Sequence, residues 1–71
     1  MKYLESSVAG RIVSLHLQEG QSVSEGDEIA MVESMKMELP VEAEQSGTVT
    51  KVLVAVGDEV DEAQHIAEIE E

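Results

Sequence analysis

Shifted against itself by 37 positions, the chain places Gly10 on Gly47, Gly20 on Gly57, Val23 on Val60, Glu25 on Glu62, Ile29 on Ile66, Ala30 on Ala67 and Glu33 on Glu70. Like-for-like apolar pairs lie between these identities: Ile12 with Val49, Leu15 with Val52, Leu17 with Val54, and Val32 with Ile69. The matched residues are glycines and apolar side chains, which set backbone path and core packing. The chain therefore holds two copies of one supersecondary unit, about residues 8–33 and 45–70, joined through 34–46. With 71 residues there is room for one domain, 1–71, and no more.

The shared pattern is that of strands. Each copy opens on a glycine, continues with alternate apolar residues (Leu15 and Leu17, Val52 and Val54), and closes on Gly20 or Gly57. Gly10, Gly20, Gly47 and Gly57 are read as structural turns. The parity of the apolar positions changes between Ile12 and Leu15 and again between Val49 and Val52, so both copies should bulge at the same place. By propensity alone the Glu- and Ala-rich stretch Asp58 to Glu71 would be a helix. Its repeat mate, Gln21 to Glu33, contains Gly26 and the strand-like run Ile29 to Val32, so the tail is expected to be a turn followed by a strand over Ile66 to Ile69. In the joining segment Leu39, Val41 and Ala43 alternate with Pro40, Glu42 and Glu44, a further strand. Pro40 on its outward face suits an edge position, where a missing N–H is tolerated. The fold class is all-β, with about seven or eight short strands.

Composition narrows the function. Sixteen acidic against four basic side chains give a formal charge of −12, which argues against nucleic acid or anionic lipid as partners. Tyr3 is the one aromatic residue, so there is no stacking platform for bases or sugars. No apolar run approaches the ~20 residues of a membrane-spanning helix, and direct membrane insertion is not expected. Without cysteine the core must hold the fold unaided, and a cytoplasmic setting is expected. His16 and His65 fall on Leu53 and Glu28 in the repeat, not on each other, and neither has companions at metal-ligand spacing. No metal site and no catalytic residue is expected.

One residue stands apart. Lys36 is the sole cation between Arg11 and Lys51, and it sits in Ser34-Met35-Lys36-Met37, the shortest hairpin connection in the chain. A turn on rigid strands presents a side chain to solvent without disturbing the core. A single exposed methionine is commonly gap-filling. A pair of them at a hairpin tip has little core beneath to fill, which favours surface recognition.

The stretch Glu33-Ser34-Met35-Lys36-Met37, with Gly47 eleven residues beyond the lysine and the duplicated unit on either side, resembles the attachment motif of the biotinyl/lipoyl carrier family. The resemblance runs from Gly10 to Glu70. It implies a flattened β-barrel of two four-stranded sheets with pseudo-twofold symmetry, with the lysine hairpin at one end and both termini at the other. It also implies that Lys36 is the attachment point for biotin, and that Glu33, Ser34, Met35, Met37 and Glu38 are what a ligase or partner reads. Lipoyl carriers typically flank the lysine with Asp and Ala, whereas biotin carriers use methionine on both sides, as here. Ser34 stands where Ala is usual, one small residue for another. The protruding thumb of some biotin carriers is absent, since Leu15 runs to Gly20 without extra residues.

The resemblance further implies a carrier and not an enzyme. A biotin protein ligase would activate biotin as its adenylate, and the Lys36 amine would attack to form an amide. The loaded chain would then shuttle a carboxyl group between a biotin carboxylase and a carboxyltransferase or decarboxylase. Two alternatives stay open: a lipoyl or dual biotin/lipoyl carrier, and an unmodified interaction module of the same fold. The charge suggests that acidic faces steer the carrier to basic partner surfaces.

Overall fold

Both copies of the repeat follow one path in the computed structural model, which describes residues 2–71. The strands are β1 (Lys2–Glu5), β2 (Gly10–Leu15), β3 (Ser22–Val23), β4 (Glu28–Ser34), β5 (Met37–Glu42), β6 (Gly47–Val52), β7 (Glu59–Val60) and β8 (His65–Glu70). They form two four-stranded antiparallel sheets, ordered β1-β8-β6-β3 and β5-β4-β2-β7. Advancing each strand of one sheet by a half-chain yields the other, so the two copies of the repeat are related by the pseudo-twofold symmetry that the family resemblance implies.

The backbone bonds repeat in the same way. Ile12 N–H donates to Asp58 O at 2.9 Å, and its mate Val49 N–H donates to Gln21 O at 2.8 Å. Gly57 N–H donates to Ile12 O, and Gly20 N–H to Val49 O, both at 2.8 Å. Each copy therefore ties its opening strand to a turn of the other, so neither closes alone. The core pairs up likewise: Leu4 with Val41, Ile12 with Val49, Val23 with Val60, Ile29 with Ile66, Ala30 with Ala67 and Val32 with Ile69 are all buried. Ser6, mate of Ala43, is the buried polar member, and its Oγ donates to Val8 O at 2.5 Å.

The bulges lie where the parity changes. Pairing shifts register between Ile12 and Ser14 in β2 and between Val49 and Lys51 in β6. The tail is strand, not helix: β8 runs one residue beyond the expected Ile66 to Ile69 at each end, because its partners β1 and β6 both supply ladder bonds. β5 is an edge strand and Pro40 is exposed on it.

One expectation needs correcting. Gly20 and Gly57 occupy turns with φ of +87° and +97°. Gly10 and Gly47 do not: they are the first residues of β2 and β6. Their lack of a side chain answers a close approach instead. A Cβ at Gly10 would stand 2.3 Å from Glu33 O, and one at Gly47 would stand 3.0 Å from Glu70 O.

Candidate site at the hairpin tip

The β4–β5 ladder aligns Ala30 with Val41 and Val32 with Leu39, so burial of that apolar face sets the register. Followed outward, the same register pairs Glu33 with Glu38 and Ser34 with Met37. That leaves a loop of two residues, Met35 and Lys36. The connection is thus tighter than the expected 34–37, each strand running one residue further. Two-residue loops with the right-handed twist of a hairpin require φ > 0 at both positions, a task usually given to Asn-Gly. Here Met35 takes φ +52° and Lys36 φ +65°. An L-residue in this region costs roughly 1–2 kcal/mol, and such strain recurs at working sites.

The tip is convex. Met35 is 93 % exposed and Met37 62 %, and Lys36 and Glu38 are also exposed. These side chains therefore stand open to solvent at the end of the β4–β5 ladder. Beneath the tip the directly opposed Glu33 and Glu38 bring like charges together. Arg11 on β2 relieves this: its guanidinium lies 3.4 Å from the Glu33 carboxylate, and both side chains remain half-exposed. The Gly10–Glu33 close approach is adjacent, so β2 buttresses the base of the hairpin.

Glu33, Ser34, Met35, Lys36, Met37 and Glu38 are therefore contiguous, as their sequence order requires. Reading the sequence missed Arg11, whose tie to Glu33 becomes visible only once β2 lies against β4. It also missed the left-handed backbone at Met35 and Lys36, since neither residue type announces it.

The histidines lie elsewhere. His16 Nε2 is 3.5 Å from Glu28, and His65 Nε2 is 3.4 Å from Glu5. The His65 ring stacks on Tyr3 with centroids 4.1 Å apart. Among the described residues no three His, Cys, Asp or Glu side chains come together to hold a metal ion.

A family model described as "Biotin-requiring enzyme", covering biotin- and lipoyl-bearing domains, matches residues 2–69. The chain is 39 % identical over 62 residues to the biotin/lipoyl attachment protein of Bacillus subtilis, covering 87 % of this chain and 85 % of that protein. It is 36 % identical over 66 residues to the biotinylated protein TB7.3 homolog of Mycobacterium leprae, covering 93 % of each. Among solved structures, it superposes on part of the urea carboxylase of Kluyveromyces lactis with a TM-score of 0.80 and 35 % identity, over 96 % of this chain and 6 % of that one.

Proposed function

Because the chain belongs to the biotin/lipoyl attachment family, a family of carriers that do not themselves catalyse, we propose that biotin is joined through an amide to Lys36 Nζ. The loaded chain then moves a carboxyl group between a biotin carboxylase and a carboxyltransferase or decarboxylase. The observation carrying this reading is the two-residue turn that displays Lys36 between two exposed methionines at the hairpin tip.

In the attachment step the neutral Lys36 amine attacks the carbonyl of the biotinyl adenylate, the C–N bond forms, AMP leaves, and the amine loses its proton to the ligase site or solvent. The exposed tip fits this: among the described residues no hydrogen bond or ion pair holds the Lys36 amine. Loading removes one cation and takes the formal charge from −12 to −13. Bound biotin supplies a ureido nitrogen that accepts and releases the carboxyl group. This chain supplies position, through a body 35 Å long that carries the lysine on a two-residue hairpin loop.

Intact-mass measurement after incubation with a biotin protein ligase, ATP and biotin tests the reading. One biotinyl group per chain is expected on the native sequence and none on Lys36→Arg, although Lys2 and Lys51 remain. Absence of label on the native chain, or label persisting on Lys36→Arg, refutes it. The name of the Bacillus subtilis relative keeps lipoate as a second candidate. A parallel arm with a lipoate ligase decides between the cofactors, and slower modification there is expected because methionines flank the lysine.

A further inference from the structure

The repeat supplies an internal control for which surface features the fold itself demands. The turn after β6 runs Ala55-Val56-Gly57-Asp58, closed by Asp58 N–H to Ala55 O at 3.0 Å and by Ala55 N–H to the Asp58 carboxylate at 2.9 Å. Its mate after β2, Gln18-Glu19-Gly20-Gln21, is closed by the same two bonds. At the corner the first turn places Val56, 61 % exposed, where the second places Glu19. Just before it Leu53, 40 % exposed, stands where the other copy has His16. Backbone and hydrogen bonding are the same, so folding does not require apolar residues at these two exposed positions.

Their location adds to this. Gly57 and Asp58 bond the backbone of Ile12, and the next residue, Arg11, faces Glu33 at the base of the lysine hairpin. From Lys36 to that row is about 10 Å along the strand, and from β4 across to β7 is about 10 Å more. An interface of ordinary size covers about 800 Å² per partner, a disc roughly 30 Å across, so one protein gripping the hairpin reaches this turn as well. Met35, Met37, Leu53 and Val56 are the large exposed apolar residues among those described; the first two flank Lys36, and the other two belong to the segment whose Gly57 N–H donates to Ile12 O, one residue from the Arg11–Glu33 pair. Carboxylates outnumber cations beside them: Glu33 and Glu38 at the hairpin base and Asp58 and Glu59 after Val56, against Arg11, which pairs with Glu33.

We propose that Leu53 and Val56 form a second contact surface for the biotin protein ligase, which meets it with an apolar recess rimmed by basic side chains. The inference rests on the proposed biotinylation of Lys36. It favours the ligase over the carboxylase-side enzymes because the ligase must bring Nζ itself to its catalytic centre. An enzyme that works at the far end of a side chain lengthened by the cofactor meets the surface around the hairpin less closely.

The test is the steady-state kcat/KM of ligase-catalysed biotinylation. For the double variant Leu53→Gln/Val56→Gln, which removes apolar area without changing charge, a fall of about tenfold is expected. The same substitutions at the mates, His16→Gln/Glu19→Gln, should leave the rate within twofold (about 0.4 kcal/mol). Val56→Gln alone lies on an exposed turn and reports if the double variant melts early; a fall of about threefold is expected of it. Unchanged kcat/KM in a folded Leu53/Val56 variant overturns the proposal while leaving Lys36 labelled. So does an equal fall at the mates, or a defect seen only in later carboxyl transfer. A native chain that takes no label at all overturns the Lys36 reading with it.

Discussion

Gly10 and Gly47 hold equivalent places, yet a methyl group would meet a carbonyl oxygen at 2.3 Å in the first and 3.0 Å in the second. At 2.3 Å the obstacle is backbone that must move, so Gly10→Ala is expected to cost about 3 kcal/mol, whereas Gly47→Ala costs about 1 kcal/mol. Urea unfolding measures both, and equal losses would contradict the contrast. The loss at Gly10 should also slow modification of Lys36, because the displaced oxygen belongs to Glu33. A second asymmetry lies at Gly26 and its mate Ala63, both left-handed with φ of +94° and +69°. Gly26→Ala should lower stability by about 1 kcal/mol. Ala63→Gly should raise it by no more than about 0.5 kcal/mol, since relief of strain is offset by the freer unfolded chain. A destabilising Ala63→Gly in the same urea series would mean that Ala63 contributes packing beyond its backbone.

At the scale of elements, the β4–β5 hairpin combines a well-determined register with a strained loop. Val32 and Val41 anchor its stem in the core, while Met35 and Lys36 adopt a backbone that Asn and Gly accept more readily. Met35→Asn is therefore expected to raise stability by up to about 1 kcal/mol while slowing biotinylation. Thermal melts and intact mass read the two effects, and faster labelling would show that Met35 is not recognised. The matched bulges in β2 and β6 are the element-scale counterpart. Each shifts the side-chain alternation partway along a strand, which lets one strand feed both the sheet core and the turn that follows.

Charge acts on the molecule as a whole. Sixteen carboxylates on so small a body repel one another, and four cations cannot offset them. Added monovalent salt should therefore raise the melting temperature, although it also screens the Arg11–Glu33 and Lys2–Glu71 pairs. A falling melting temperature would mean that those pairs outweigh the repulsion. Glu71 shows the sign of the local effect. The hydrogen bond from Lys2 and then its positive charge hold the Glu71 carboxyl below its ordinary value. Stability from this pair is present above the ordinary carboxylate range and is lost as pH falls through the lowered value. Both groups are exposed, so the contribution is small, and Glu71→Gln should only slightly flatten the acid limb of a pH–stability curve. In function, the acidic surface should accelerate encounter with basic partner faces, so carboxyl transfer to the loaded chain should slow as ionic strength rises. A salt-independent rate would remove steering as the role of the charge.

The duplicated pattern of glycines and apolar residues determined, by itself, the all-β class, the likeness of the two halves, the bulge positions, the strand character of the tail and the hairpin that bears Lys36, while the division into two four-stranded sheets followed from the family resemblance. It could do so because a repeat makes each half a guide to the other, and Gln21 to Glu33 outweighed the helical composition of Asp58 to Glu71. Tertiary structure alone decided what depends on approach between distant segments. Gly10 and Gly47 lie in strands against a neighbour's carbonyl and not in turns, Arg11 reaches Glu33, Tyr3 stacks on His65, and the ladder closes to a two-residue loop that forces Met35 and Lys36 into left-handed backbone. Periodicity reports which face a residue turns toward the core. It carries no information on how closely two strands, far apart in the chain, come together.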